Sequence, residues 1–175
     1  MSCFYFSHKV NVISVIHMKY NIKLLSVLGL GLGLLTTNVN ASEFDQYLHK
    51  KGILDSSFKI KKKAELNELL TVLSAEDSRT LPLQIDQNTV IEQLQLSANK
   101  TTLKGMITTP DFSQFEKDLG RKEVMKVIRN NLLNNCEIFF EHRYQIENPY
   151  KIELTLTSQT QTYKTAISQK DCKLK

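Results

Sequence analysis

The spacing of apolar residues predicts two helices in the first part of the folded domain. Over residues 43–54, Phe44, Tyr47 and Leu48 fall on one helical face, and Gly52 marks a stop. A second apolar stripe then recurs at the i, i+3, i+4, i+7 spacing of an amphipathic helix: Leu66, Leu69, Leu70 and Leu73.

The period changes to two after Pro82, which cannot lie inside a helix. Residues 89–98 alternate, and their apolar positions are Val90, Leu94, Leu96 and Ala98. Asn99 and Lys100 predict a two-residue hairpin turn. The return strand places Leu103, Gly105 and Ile107 on one side.

A helical pattern returns after Pro110, and Asp111 is the predicted N-cap. The positions expected to face inward are Phe112, Phe115, Leu119, Val124, Val127, Ile128 and Leu132. A second hairpin ends the domain, with Tyr150, Ile152, Leu154 and Leu156 alternating before a turn at 158–161 and Tyr163, Thr165 and Ile167 after it. The order α-α-β-β-α-(α)-β-β predicts an α+β fold, in which helices cover one face of an antiparallel sheet of four to five strands.

This arrangement gives the sheet two different faces. We expect the helices to cover the apolar face, formed by Leu94, Leu96, Ile152, Leu154, Leu156 and Ile167. The other face carries Gln93, Gln95, Ser97, Thr155, Thr157, Thr162 and Lys164. A partner protein would then use this polar face, a sheet edge, or a groove opened around Phe44, Tyr47 and Leu48. The alternative for these three residues is that they complete the core.

The beginning of the chain has the pattern of a secretory signal peptide over residues 18–41. Lys19 and Lys23 precede an apolar run at 24–35, and the small-x-small sequence at 39–41 predicts cleavage after Ala41. The alternative is a buried helix; a membrane span would need about 20 apolar residues. Residues 1–17 are then an extension assigned in error ahead of a true start at Met18. Residues 42–175 form a single mature domain that is periplasmic or secreted, without an integral membrane segment.

Charge argues against a nucleic-acid partner. The whole chain carries a net charge of +5, but three lysines and no acidic residue precede Ala41, which leaves +2 on the mature part. No arginine-rich stripe is present. The lysines at 61–63 could contact an acidic partner or anionic lipid, or form a solvated helix end.

Two cysteines, Cys136 and Cys172, remain after processing. In an exported chain they predict one disulfide, which would tie the end of the chain to the end of the preceding helix. The alternatives are two free thiols or half of a metal site.

The sequence contains few residues suited to catalysis. His142 lies between Glu141 and Arg143, but neighbouring residues on a helix point in different directions, so a surface charge cluster competes with a catalytic role. Phosphate-binding, metal-binding and nucleophile motifs are absent from the sequence. We therefore predict a protein that is not an enzyme and that has no catalytic, cofactor or metal site.

The order of a hairpin, a helix leading to Cys136, and a hairpin closing on Cys172 resembles small periplasmic domains of the type II secretion pilotin class. It also resembles short exported bacterial proteins of unknown function, whose similar region begins with the same sequence pattern, seen here at Leu81, Pro82, Asp86 and Thr89. The resemblance covers residues 81–172. Pilotins are lipoproteins that escort a secretin subunit by its C-terminal helix, whereas this chain lacks the lipobox cysteine.

These observations predict a non-enzymatic exported protein that binds another envelope protein, such as an assembly or secretion accessory factor. The alternative is a periplasmic inhibitor or immunity protein directed against a toxin or a hydrolase.

Overall fold

The computed structural model describes residues 41–172. The predicted extension at 1–17 and all but the last residue of the predicted signal peptide lie outside the described residues. Within the described part, no helix is long and apolar enough to cross a membrane.

Six helices and five strands make up the domain. The helices are α1 (Glu43–Lys50), α2 (Lys63–Asp77), α3 (Phe112–Leu119), α4 (Arg121–Asn134), α5 (Cys136–Phe139) and α6 (Arg143–Glu147). The strands are β1 (Leu83–Asp86), β2 (Thr89–Ser97), β3 (Lys100–Ile107), β4 (Lys151–Thr157) and β5 (Thr162–Ser168).

The strands form one sheet in the order β1-β2-β3-β4-β5. The pairs β1–β2, β2–β3 and β4–β5 are antiparallel, whereas β3 and β4 run parallel at the centre. The α+β class is confirmed and the element order roughly matches the prediction; the sheet is mostly antiparallel, and the β3–β4 pair departs from the antiparallel sheet predicted. The parallel pair arises because α3 to α6 carry the chain back to the end of the sheet where β3 began, as a crossover connection must.

The core lies between the apolar face of the sheet and the helices. Leu48, Leu66, Leu70, Leu132 and Phe140 of the helical layer share one buried cluster with the sheet residues Ile91, Ile152, Leu154, Leu156 and Ile167. The opposite face of the sheet exposes Gln93, Gln95, Lys104 and Lys164. Both faces therefore have the predicted character.

A bulge in β2 changes one predicted position. The pairing of β2 with β3 shifts register between Ile91 and Gln93, so Ile91, opposite Gly105, enters the core, and Val90 joins the other face opposite Met106. Gly105 allows this close approach, because a Cβ there would collide with the Val90 carbonyl oxygen. The hairpin turn also lies one residue earlier than predicted, at Ala98 and Asn99.

Helix α3 is rotated relative to the prediction. Phe112 packs edge-to-face on Tyr163 with 5.8 Å between ring centroids, and Glu116, one turn later on the same face, is buried. Phe115 and Leu119 are 43% and 44% exposed, so the expectation that they face inward is wrong; Val127 of α4 is exposed as well. Asp111 occupies the N-cap position of α3, but its side chain makes no capping hydrogen bond.

Polar side chains of α2 cover the edge of β2 beyond the end of β1. The amide N–H of Leu96 donates to Ser74 Oγ at 2.7 Å, and that of Ala98 donates to Asn67 Oδ1 at 2.8 Å. The helix therefore supplies the acceptors that a neighbouring strand would supply.

Helix α4 covers the other edge of the sheet with two arginines. Arg121 donates to the Thr162 carbonyl oxygen at 2.8 Å, and Arg129 donates to the Ala166 carbonyl oxygen. Arg129 also forms a 2.8 Å ion pair with Asp171. On each side of the sheet, side chains of a helix therefore bind two backbone groups of the strand beside it.

Cys136 and Cys172 are joined by a disulfide, with their Cα atoms 5.8 Å apart. Cys136 is the first residue of α5, and Cys172 follows the 3₁₀ turn Gln169–Asp171 that ends β5. The bridge therefore ties the end of the described chain to the helical crossover.

Candidate functional site

Helix α1 begins with a capping box, and the carboxylate of that box also binds backbone groups in the C-terminal half of the domain. Ser42 is the N-cap: its Oγ accepts from the Asp45 N–H at 3.1 Å, while Asp45 Oδ2 accepts from the Ser42 N–H at 3.3 Å. The same buried carboxylate accepts from the backbone N–H groups of Arg143 and Tyr144, at 2.8 and 3.2 Å. One side chain therefore caps both α1 and α6.

The three residues of the predicted partner groove lie in different environments. Leu48 is 0% exposed and belongs to the core. Phe44 is half-buried, with its ring centroid 5.2 Å from that of His142 and 6.3 Å from that of Tyr144. Tyr47 is 44% exposed, and the Lys51 ammonium lies 5.7 Å from its ring centroid. A groove at these positions would require α1 to move, and it stays a prediction.

The structure brings His142 next to Ser42 and Asp45. His142 Nδ1 lies 2.8 Å from Ser42 Oγ and 3.9 Å from Asp45 Oδ2, and Ser42 Oγ lies 2.8 Å from the same carboxylate oxygen. In a catalytic triad the acid orients the base from the side opposite the serine. Here the carboxylate binds the serine directly and also holds two backbone N–H groups, so the arrangement is suited to joining two helix starts.

Aromatic rings behind this network link α1 to the sheet. Tyr144 packs edge-to-face on Tyr150 with 5.9 Å between ring centroids, and the Tyr150 hydroxyl lies 2.9 Å from Thr101 Oγ1. Burial raises the pKa of both tyrosines. Both hydroxyl groups therefore stay protonated, and the two side chains serve as packing and hydrogen-bonding groups.

A tight turn on the other side of α1 presents an aromatic side chain. Asp55 Oδ1 accepts from the backbone N–H groups of Ser57 and Lys59 at 2.8 and 2.9 Å, and the Asp55 carbonyl accepts from the Phe58 N–H at 3.0 Å. The turn places Phe58 at φ 59°, a left-handed conformation that is unusual for a bulky residue.

Contacts with α6 hold this turn in place. The Asn148 amide donates to the Phe58 carbonyl at 2.9 Å and accepts from the Ile60 N–H at 3.0 Å. The Arg143 guanidinium lies 5.1 Å from the Phe58 ring centroid. The strained conformation of Phe58 is thus fixed by neighbours at both the backbone and the ring.

Phe58 lines an open cleft beside α1. The cleft has a volume of about 400 Å³ and is lined by Gln46, His49, Ser56 and Phe58. The His49 and Phe58 rings are 6.3 Å apart between centroids. The cleft thus combines two aromatic rings with two uncharged polar side chains, a composition suited to holding one side chain of a partner.

The segment around the cleft is strongly basic. Residues 50–63, which we call the basic segment, contain six exposed lysines and one acidic residue, Asp55; the lysines are Lys50, Lys51, Lys59, Lys61, Lys62 and Lys63. Lys59 lies 3.8 Å from Glu147, and Lys62 lies 2.9 Å from Glu65. These exposed pairs leave the segment with a large excess of positive charge.

A second polar cluster lies at the opposite end of the domain, beside α3. Thr160 Oγ1 donates to Glu116 Oε2 at 2.9 Å, while Glu116 Oε1 and the Tyr163 hydroxyl are buried without a hydrogen-bond partner. Burial, and next the Glu116 carboxylate, raises the pKa of Tyr163 to about 12. Among residues 41–172, no group of three or more histidine, cysteine, aspartate or glutamate side chains could hold a metal ion.

The basic-segment lysines were visible in the sequence, but the cleft was not. Its aromatic residue sits in a left-handed turn without glycine or asparagine, which no propensity rule predicts. Its other side comes from α1, positioned through Asp45 and residues almost a hundred positions later. The Asp-Ser-Ser sequence at 55–57, typical of a turn, was the one local signal.

Comparison with known proteins gives a weak structural likeness. No family model matches the chain, and no curated protein matches it in sequence. The pilotin EpsS of the Vibrio vulnificus type 2 secretion system is similar in structure, with 11% identity and a TM-score of 0.46 over 66% of this chain and 98% of the pilotin. A Pseudomonas aeruginosa protein described as a "putative secreted protein" has 11% identity and a TM-score of 0.44 over 65% of this chain and 97% of its own. The weak pilotin-like resemblance described above is thereby confirmed.

Proposed function

We propose that this protein is exported to the bacterial envelope, has no enzymatic activity, and binds an acidic segment of another envelope protein in the cleft beside α1. The observation that carries the proposal is the left-handed conformation of Phe58, which costs a bulky residue about 1–3 kcal/mol and persists only where the surrounding structure imposes it. Strained residues of this kind concentrate at ligand-binding sites.

Charge supports an acidic partner. The basic segment would attract carboxylates and guide the encounter, while the cleft would accept one apolar or aromatic side chain against the adjoining rings of His49 and Phe58. The signal-peptide pattern at 18–41 and the disulfide support export.

The proposal is tested with a short fluorescein-labelled peptide that is rich in glutamate and contains one leucine, measured by anisotropy. We expect Lys50→Glu with Lys59→Glu to weaken binding roughly tenfold at low salt, and the wild-type affinity to fall as salt rises. The matched control is Lys122→Glu with Lys126→Glu on α4, which reverses two exposed charges away from the cleft.

Phe58→Gly separates binding from folding. Glycine adopts a positive φ without strain, so the loss of ring contacts is offset and stability changes by no more than about 1 kcal/mol. Peptide binding should nevertheless be lost. Equal binding by Phe58→Gly, or equal losses in the two lysine pairs, would contradict the proposal. So would binding to phosphatidylglycerol vesicles but not to the peptide.

A further inference from the structure

The Asp45 carboxylate is fully buried at the point where the mature chain is predicted to begin. It is 0% exposed and lies 3.3 Å from the backbone nitrogen of Ser42 and 2.8 Å from its Oγ. Two further backbone N–H groups, of Arg143 and Tyr144, complete its hydrogen bonds. A buried charge with this many donors is costly to remove and favours any cation that can reach it.

The group closest to this carboxylate changes its charge when the chain is processed. In the uncleaved chain the Ser42 nitrogen is a neutral amide. Hydrolysis of the Ala41–Ser42 bond by an envelope peptidase consumes one water: the new carboxylate stays on Ala41, and the Ser42 nitrogen takes up protons to become an ammonium group.

We propose that Asp45 is the receptor for the α-ammonium group created by cleavage after Ala41, so that processing converts a capping hydrogen bond into a buried ion pair. The inference rests on the predicted cleavage position and is independent of the proposed cleft. Its consequence is that the mature domain is more stable than the uncleaved one, because the new pair holds α1 against the start of α6.

Several other charges act on the new ammonium. The positive end of the α1 dipole opposes it, Glu43 in the first turn favours it, and His142 lies 3.9 Å from Asp45 Oδ2. Arg143 meets Asp45 through its backbone N–H. Cleavage also removes the hydrogen bond that Gln46 donates to the Ala41 carbonyl, which is exposed and therefore weak. The contact with a buried carboxylate outweighs these effects, because hydrogen bonds between charged groups are about twice as strong as neutral ones.

The test compares two oxidised forms of the compact unit that differ only in where the chain starts. One begins with a free amine at Ser42, and the other retains residues 40 and 41. We expect the free-amine form to melt roughly 5 °C higher at pH 7. Asp45→Asn should abolish this difference, whereas Glu43→Gln, an exposed control in the same turn, should preserve most of it.

The pH dependence distinguishes the ion pair from a general effect of the extra residues. The pair favours the charged amine, so its stabilisation is fully present below the ordinary α-amino pKa of about 8 and is lost as the pH rises above it. The difference between the two forms should therefore disappear between pH 7.5 and 10, above the range in which histidine titrates.

Three results would overturn the inference. Equal melting temperatures of the two forms at pH 7 would exclude the pair. A difference that stays constant from pH 7.5 to 10 would assign the effect to the added residues. An exported protein whose intact mass does not correspond to a start at Ser42 would remove its premise. The first two comparisons leave Asp45 unchanged, so they remain decisive if Asp45→Asn does not fold.

Discussion

The N-terminal and C-terminal parts of this domain are attached to the same sheet by different means. Helices α1 and α2 are anchored by polar side chains: Asp45 at the start of α6, and Ser74 and Asn67 along the edge of β2. The region from α4 to the end of β5 is anchored by a disulfide and by the edge contacts of Arg121 and Arg129. The first attachment depends on folding alone, whereas the second also depends on oxidation.

The largest expected effect tests whether α1 is a removable cover or part of the core. Deleting residues 42–54 removes three buried side chains, Leu48, Ile53 and Leu54, as well as the Asp45 caps. We expect a loss of more than about 5 kcal/mol of stability, measured by urea unfolding. A deleted protein that unfolds at the wild-type midpoint would instead favour the groove predicted around Phe44, Tyr47 and Leu48.

A pair of substitutions on α1 refines this test without deleting chain. Leu48→Ala should cost about 2–5 kcal/mol, because it leaves a cavity in the core. Tyr47→Ala, on an exposed face of the same helix, should cost less than about 1 kcal/mol. Similar losses from both would contradict the assignment of Leu48 to the core.

The second prediction concerns the covalent anchor. Replacing Cys136 and Cys172 together by serine should lower stability by about 4 kcal/mol, since the bridge closes a sequence separation of 36 residues. The measurement is urea unfolding of the oxidised wild type and the variant, with reductant added to the variant as a control that should change nothing. An unchanged midpoint would show that the polar contacts of α4 anchor β5 without the bridge.

The third prediction concerns the polar anchor of α2. Ser74→Ala removes the acceptor of the partly buried Leu96 N–H and should cost about 1–3 kcal/mol. Thr71→Ala, three positions earlier, removes an exposed hydroxyl bonded within the helix and should be nearly neutral. Hydrogen exchange at the Leu96 amide should accelerate in Ser74→Ala alone; equal exchange in the two variants would place the anchor elsewhere.

The smallest expected effect depends on pH. Hydrogen bonds from Ser168, and next the Arg129 guanidinium, lower the pKa of Asp171. A lowered folded-state pKa stabilises the domain above the ordinary aspartate range, and this contribution is lost as the pH falls through the lowered value. Asp171→Asn should therefore lower the melting temperature slightly at pH 7 and have no effect near pH 2. A penalty that persists in acid would assign the effect to packing.

Periodicity was sufficient to predict the layers of this fold, because apolar side chains must share one face of each element. It predicted α2 from Leu66 to Leu73 and both hairpins. It failed at Val90 and on α3, where a shift of one residue changes which side chains face the core. The first failure reflects a bulge that depends on Gly105 of the neighbouring strand, and the second reflects a helix that buries Glu116 instead of Phe115. The candidate cleft could not be predicted, since it requires Asn148 and Arg143 to meet Phe58 across the fold.

The parallel pairing of β3 with β4 has a consequence for how fast the chain folds. Each hairpin closes over a few residues and can form early, but the central pair aligns Lys100 with Lys151 only after the whole helical crossover is spanned. Closing so long a loop costs entropy before any contact compensates, which slows folding in proteins rich in distant pairings. We therefore expect the two hairpins to be present in the folding transition state and their joining to limit the rate.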